Sequence, residues 1–275
     1  MTQFSHYLWH QLRLFFTALQ FFTRIPIPRW VGFDPSWLSP SLRYFPLVGW
    51  LIGAITAAVY LLAQLCWSSA VAVVLSTIAG IWSTGAFHED GFADVCDGFG
   101  GGMTPERVLE IMRDSRVGAY GAIGISLLLL LKCTVLAGLP NMLTAMALLL
   151  AHPLSRLASG AVIWGMDYVR EDGKAKVIAT QLSTAELIVA GSSVFVPLGL
   201  LFCLALAFVR LPCTLLGLMT ATLAGMVLIG LMVWRLVCLF QRRIGGYTGD
   251  CLGTVQQLSE VMFYLGFSGA LCLFT

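Results

Sequence analysis
The chain has 275 residues, 58% of them hydrophobic and only 11% charged, with a formal net charge of +2. Its mean hydropathy of +0.86 excludes an ordinary water-soluble domain, in which about a quarter of the residues are charged. The small charge, without basic runs or aromatic-basic interleaving, excludes a nucleic-acid partner, and the eight scattered cysteines, with no CxxC pair, exclude a disulfide framework or a zinc site.

Residues 3–23 place Phe4, Tyr7, Leu8, Leu12, Phe15, Phe16, Leu19 and Phe22 at helical spacing, with His6, His10, Arg13 and Gln20 elsewhere around the wheel. The pattern predicts an amphipathic helix lying on the membrane surface, and no cleavable signal peptide is expected. Pro26 and Pro28 then forbid helix and hold Arg24 and Arg29 on an extended segment, either as topological anchors or as anion ligands. Apolar spans of bilayer length follow near 44–66, 69–88, 117–138, 141–165, 185–209, 212–235 and 255–274. The expected fold is all-α: a polytopic integral membrane helical bundle of about seven transmembrane helices plus the N-terminal interfacial helix. The chain reads as one domain over 1–275, with the bundle over 44–274.

Basic residues outside the spans gather in alternate connections: Arg13, Arg24, Arg29 and Arg43 before the first, Arg107, Arg113 and Arg116 after the second, Arg170, Lys174 and Lys176 after the fourth, and Arg242 and Arg243 after the sixth. Only Arg210 falls on the other side, so the polar loops are expected in the cytoplasm and the protein in the inner membrane. Lys132 and Arg156 are basic residues inside spans. Lys132 is expected to snorkel to an interface. Arg156 needs an anionic partner, either a motif aspartate or a substrate phosphate.

Against this oily background, Glu89, Asp90, Asp94 and Asp97 put four carboxylates within nine positions. If the preceding apolar helix continues through them, Asp90, Asp94 and Asp97 stand at i, i+4 and i+7 on one face. Like charges on one stripe call for a cation, and all-oxygen ligands suit a hard ion, Mg²⁺ or Mn²⁺; the bland alternative is a solvated helix cap. Removing one of the three is expected to leave folding intact, since their repulsion is relieved. His88 is a polar filler or a partner to the ligands. Gly98 and Gly100 to Gly102 then end the helix and bare N–H groups that can face phosphate.

Downstream, Thr104 and Pro105 read as a helix start. Arg113, Asp114 and Arg116 form either a phosphate clamp with a fourth metal carboxylate or a charged juxtamembrane turn. The loop 168–176 reads as a linker in preference to a substrate lid. In the last polar loop, four glycines between Gly245 and Gly253 let backbone approach a ligand and present Asp250 to it.

These motifs resemble, in order, those of one family. His88-Glu89-Asp90-Gly91-Phe92-Ala93-Asp94-Val95-Cys96-Asp97-Gly98 is similar to the H-x-D-G-x-x-D-x-x-D-G signature of cobalamin synthase, the adenosylcobinamide-GDP ribazoletransferase of vitamin B12 assembly. Thr23-Arg24-Ile25-Pro26-Ile27-Pro28 resembles its T-R-[IL]-P-[VI]-P, and Phe45-Pro46-Leu47-Val48-Gly49 its F-P-L-[IV]-G. Leu109-Glu110-Ile111-Met112-Arg113-Asp114-Ser115-Arg116 resembles its L-E-I-M-[RK]-D-[SP]-R, and Gly245-Gly246-Tyr247-Thr248-Gly249-Asp250 its G-G-x-T-G-D. Glu89 departs from the family, which commonly has an apolar residue there, and is expected to be dispensable.

The resemblance implies a membrane enzyme whose small-molecule substrates are adenosylcobinamide-GDP and α-ribazole or its 5′-phosphate, with Mg²⁺ as cofactor. Asp90, Asp94 and Asp97 are then the expected metal ligands, and Asp114 and Asp250 the groups that complete the site or orient the nucleophile. Arg113, Arg116 and Arg24 are the expected phosphate ligands. A homo-oligomer or an assembly with other enzymes of the pathway stays open. The alternatives are a CDP-alcohol phosphotransferase, whose D-G-x-x-A-R pattern fails at Ala93-Asp94, and a divalent-cation transporter, for which the far side is too bare of charge.

Overall fold
The computed structural model describes residues 3–170, 182–208 and 212–272, with side chains except those of 3–4, 205–208 and 212–214. Among the described residues helix is the regular structure throughout, as expected where a bilayer offers the backbone no hydrogen-bond partners. The first helix, α1 (Gln3–Phe22), buries Leu14, Ala18 and Phe22, at i, i+4 and i+8, and leaves Tyr7, Leu8, Trp9 and Leu12 exposed. Its two faces thus do different things, one seated on the bundle and one uncovered. The proline segment runs extended and is pinned where the Arg24 N–H donates to the Ser83 carbonyl at 2.8 Å.

After short turns and α2 (Leu38–Ser41), the bundle begins with α3 (Phe45–Ala63) and α4 (Ser69–Thr84). There the expected straight continuation fails. Gly85 (φ 69°) and Ala86 (φ 59°) are both left-handed, Gly85 closes α4 by donating to Ile81 and Trp82, and α5 (Phe87–Gly101) leaves at 91° to α4. Glycine at C′ is the ordinary stop for a helix, but the apolar Ala86 and Phe87 behind it hide the break in a hydropathy profile.

The chain continues through α6 (Pro105–Ile111), capped by Thr104 as expected, α7 (Ala119–Ala137), α8 (Asn141–Gly165), α9 (Thr184–Phe208), α10 (Pro212–Ile244) and α11 (Gly249–Leu271). Each of the seven expected spans has a helix, yet among the described residues five are long and apolar enough to cross a membrane alone, or six with α4 and α5 as one bent span. The remaining one, α11, buries Gln256, Gln257, Ser259 and Glu260. Arg242 and Arg243 belong to the last turn of α10 rather than to a loop, where a helix C-terminus favours cations.

Close packing depends on small residues. Gly49 and Gly53, four apart on α3, let that helix approach α8 so closely that a Cβ would sit 2.7 Å from the His152 carbonyl or 2.8 Å from that of Leu149. At one end of the bundle the Tyr60 hydroxyl, at the foot of α3, reaches Ser69 of α4 (3.1 Å) and Asn141 of α8 (3.3 Å). At the other end, the residues after α8 pair with those before α11: Val169 N–H donates to Tyr247, and Tyr247 N–H to Asp167, both at 3.0 Å. That start of the 168–176 loop is therefore bound structure, not linker; residues 171–176, with Lys174 and Lys176, lie outside the described residues, as does Arg210.

Candidate active site
The aspartates are carried on α5 and meet α11 at this second end. Gly91 makes the meeting close, since a Cβ there would lie 2.8 Å from Asp250 Cα, and a Cβ on Gly253 would lie 2.9 Å from the His88 carbonyl. Asp250 is thereby set against the first turns of α5. Asp90 is exposed and Asp94 half-buried, and neither carboxylate has a hydrogen bond or ion pair among the described residues. Asp94 lies within electrostatic reach of Asp250, Asp90, Asp97 and Arg170. The one cation in that set, Arg170, pairs with Asp250 at 2.8 Å and also donates to the Met112 carbonyl at 3.3 Å.

Asp97 has a second task. It is buried, and its two oxygens accept from the backbone N–H groups of Gly118 (2.7 Å) and Gly121 (2.8 Å). These donors belong to the opening turn of α7, whose N–H groups have no partner within their own helix, so Asp97 caps α7 from another helix. Each oxygen keeps a further lone pair. The C-terminal end of α5 is held by Arg243, which donates to the carbonyls of Phe99 (3.1 Å) and Gly102 (2.6 Å).

The other expected residues are more dispersed. Asp114 is gripped by Arg116 through a 2.6 Å ion pair and further bonds, which hold its carboxyl down to about 2. Arg116 itself is 87% exposed. Arg113 is exposed, with no ion pair among the described residues. Arg24 is exposed and lies over Gly85, at the break from which α5 starts.

As placed, no three His, Cys, Asp or Glu side chains among the described residues converge on one point as metal ligands do. The donor set nonetheless fits a hard cation in chemistry. It offers oxygen donors alone, and around Asp94 the carboxylates of Asp90, Asp97 and Asp250 outnumber the one guanidinium within reach among the described residues, that of Arg170.

The sequence profile of the family described as Cobalamin-5-phosphate synthase matches residues 14–268. The chain belongs to that family. Among relatives of the cobalamin-5-phosphate synthase family, it is 45% identical to the "Adenosylcobinamide-GDP ribazoletransferase" of Shewanella frigidimarina over 93% of this chain and 94% of that protein. It is 43% identical to the protein of the same name from Leptothrix cholodnii, over 94% and 95% of the two chains. The Ralstonia pickettii protein, also so named, is 45% identical over 91% and 93%. No solved structure matches the chain.

Three readings are corrected within this member of the cobalamin-5-phosphate synthase family. Lys132 does not snorkel: it is 5% exposed and bonded to Glu260 at 2.6 Å. Arg156 meets neither a motif aspartate nor an open phosphate position, but His152 and Glu260. Glu89 does not point to an idle face; it is buried and accepts from Gln257 at 2.8 Å. Arg170 and Arg243 were missed as site residues, for the only signal was their place in polar stretches rich in charge.

Proposed function
We propose that this chain joins adenosylcobinamide-GDP to α-ribazole, or its 5′-phosphate, at the end of the bundle where α5 meets α11. The ribazole 5′-hydroxyl attacks the corrinoid-side phosphorus of the diphosphate and loses its proton. The bond to the bridging oxygen breaks, GMP leaves, and adenosylcobalamin or its 5′-phosphate results. The observation that carries this reading is that Asp90, Asp94, Asp97 and Asp250 lie together at one end of a membrane bundle of this family.

Negative charge builds on the bridging oxygen as GMP departs, and fixed positive charge is the usual remedy. Asp90, Asp94 and Asp250, with the spare lone pairs of Asp97, would hold Mg²⁺, which when bound would neutralise phosphate oxygens and the leaving group. Arg24, exposed at the break before α5, and Arg113, exposed after α6, would bind the phosphates, and Arg116 would do so on releasing Asp114. Arg170 holds Asp250 in place until substrate competes for the guanidinium. We place the site on the cytoplasmic face of the inner membrane, where nucleotide-activated substrates are made.

The test is purified protein in lipid vesicles. GMP release that requires both the corrinoid and the ribazole, and rises with Mg²⁺, is the expected result. CMP release from a CDP-lipid would reassign the chain to phospholipid synthesis, and cation flux without product would make it a transporter.

A further inference from the structure
On the inner side of α5 lies a group of polar side chains that the transferase reading does not use. Lys132 of α7, His152 and Arg156 of α8 and Glu260 of α11 are each at most 5% exposed, in the interior of the bundle. Glu260 is the hub. Lys132 donates to its Oε2 at 2.6 Å, His152 Nδ1 lies 2.6 Å from Oε1, Arg156 Nη1 lies 3.7 Å from Oε1, and the Gln256 amide donates to Oε1 as well. Three residues earlier on α11, Gln257 donates to Glu89 at 2.8 Å, and Glu89 with His88 forms the first turn of α5. A cavity of about 20 Å³ runs between these groups, room for one water molecule.

With neutral histidines the formal charges of Lys132, Arg156, Glu89 and Glu260 sum to zero. Such a cluster is not an economical source of stability, because apolar side chains of similar volume hold a core together equally well or better. What buried polar groups can supply is uniqueness, since each demands a partner and a displaced helix leaves it unpaired. The demand here falls on one stripe. Asp250, Thr254 and Gln257 stand at i, i+4 and i+7 of α11, and all three meet α5: Asp250 backbone against Gly91, Thr254 Oγ1 at 3.5 Å from the Gly91 carbonyl, and Gln257 on Glu89. Slipping α11 by one residue rotates this stripe by about 100°. Asp250 would turn away from Asp90 and Asp94, and Glu89 and Gln257 would both be orphaned.

We infer that Glu89, Gln257 and Glu260 are positioning residues: the buried cluster fixes the register of α11 against α5 and so holds Asp250 opposite the aspartates of α5. This rests on the transferase reading. It predicts that the carboxylate and the amide can trade places but cannot be changed singly. Glu89→Gln adds uncompensated positive charge to the cluster, Gln257→Glu sets two carboxylates face to face, and the double exchange restores both the charge and the bond.

The experiment measures steady-state GMP release by the parent and the three variants in vesicles, normalised to folded protein, with melting in detergent recorded alongside. Each single variant is expected to lose about a hundredfold in kcat, the size of effect that follows a misplaced reacting group, with KM for both substrates within about twofold. The exchange variant should recover most of that loss. Parental kcat in the single variants, with only the melting temperature lowered, would mean that the cluster merely stabilises and would overturn the proposal. So would an exchange variant that folds but works no better than the singles. Should the exchange variant not fold, the pair Lys132→Met with Glu260→Gln, which removes opposite charges together, replaces it: a similar kcat loss supports the register role and parental kcat overturns it. Absence of GMP release from the parent would instead defeat the transferase reading itself.

Discussion
Asp97 shows how one carboxylate can be asked to serve two structures at once. By spacing alone it belongs with Asp90 and Asp94, and its removal should relieve repulsion. Its two bonds to the Gly118 and Gly121 N–H groups reverse that expectation. Asp97→Ala should lower stability by about 1–3 kcal/mol, the cost of leaving the buried Gly121 N–H unpaired, whereas Asp90→Ala and Asp94→Ala, which lose no described bond, should melt with the parent. All three should lose turnover by orders of magnitude if they share Mg²⁺. Thermal melting beside GMP release separates the roles, and an Asp97→Ala protein as stable as the parent would show that the cap is idle. Spacing revealed the acidic stripe because its members are neighbours in sequence. The partners of Lys132 and Arg156 were not legible, because Glu260 lies more than a hundred residues away and only the fold brings them together.

At the scale of elements, the crossing of α5 and α11 decides whether the aspartates face one another. The sequence pattern marks the glycines between Gly245 and Gly253 as a ligand-facing loop and assigns Gly91 no role, whereas Gly91 and Gly253 are sites of helix approach. The reason is that a missing Cβ looks the same in sequence whether a ligand or a helix fills its place. The bend at Gly85 was missed on similar grounds, since Ala86 adopts a conformation that alanine rarely takes. Gly91→Ala puts a methyl group 2.8 Å from the backbone of Asp250, where no side chain can swing aside. Overpacking of this kind costs about 1–3 kcal/mol, and separating the helices should lower kcat more than it raises KM. Gly199→Ala, where an added Cβ meets nothing within 4 Å, serves as the control on another helix. Equal kcat for Gly91→Ala and the control would mean that the tight crossing has no part in turnover.

The whole molecule has a direction, and topology tests it. Arg170, Arg243, Asp250 and the α5 aspartates lie at one end, where Asp167 and Val169 pair with Tyr247 and Arg170 pairs with Asp250, while the hydrogen bonds of Tyr60 gather α3, α4 and α8 at the other. If basic residues keep their end in the cytoplasm, reporters inserted near 103 and after 170 should read cytoplasmic, and reporters at 67 and 140 should read the opposite side. The informative fusion is at the C-terminus. α11 leaves the site end at Gly249 and runs for 23 residues, about 35 Å of helix, enough to cross a bilayer. Its composition argues against a span only because hydropathy averages all faces of a helix. Gln256, Gln257 and Glu260 are buried among protein groups, so lipid never meets them. A reporter fused after residue 275 should therefore read the side opposite to that at 103. A cytoplasmic signal there would mean that α11 does not complete the crossing, and that its buried polar stripe folds back toward the end from which it started.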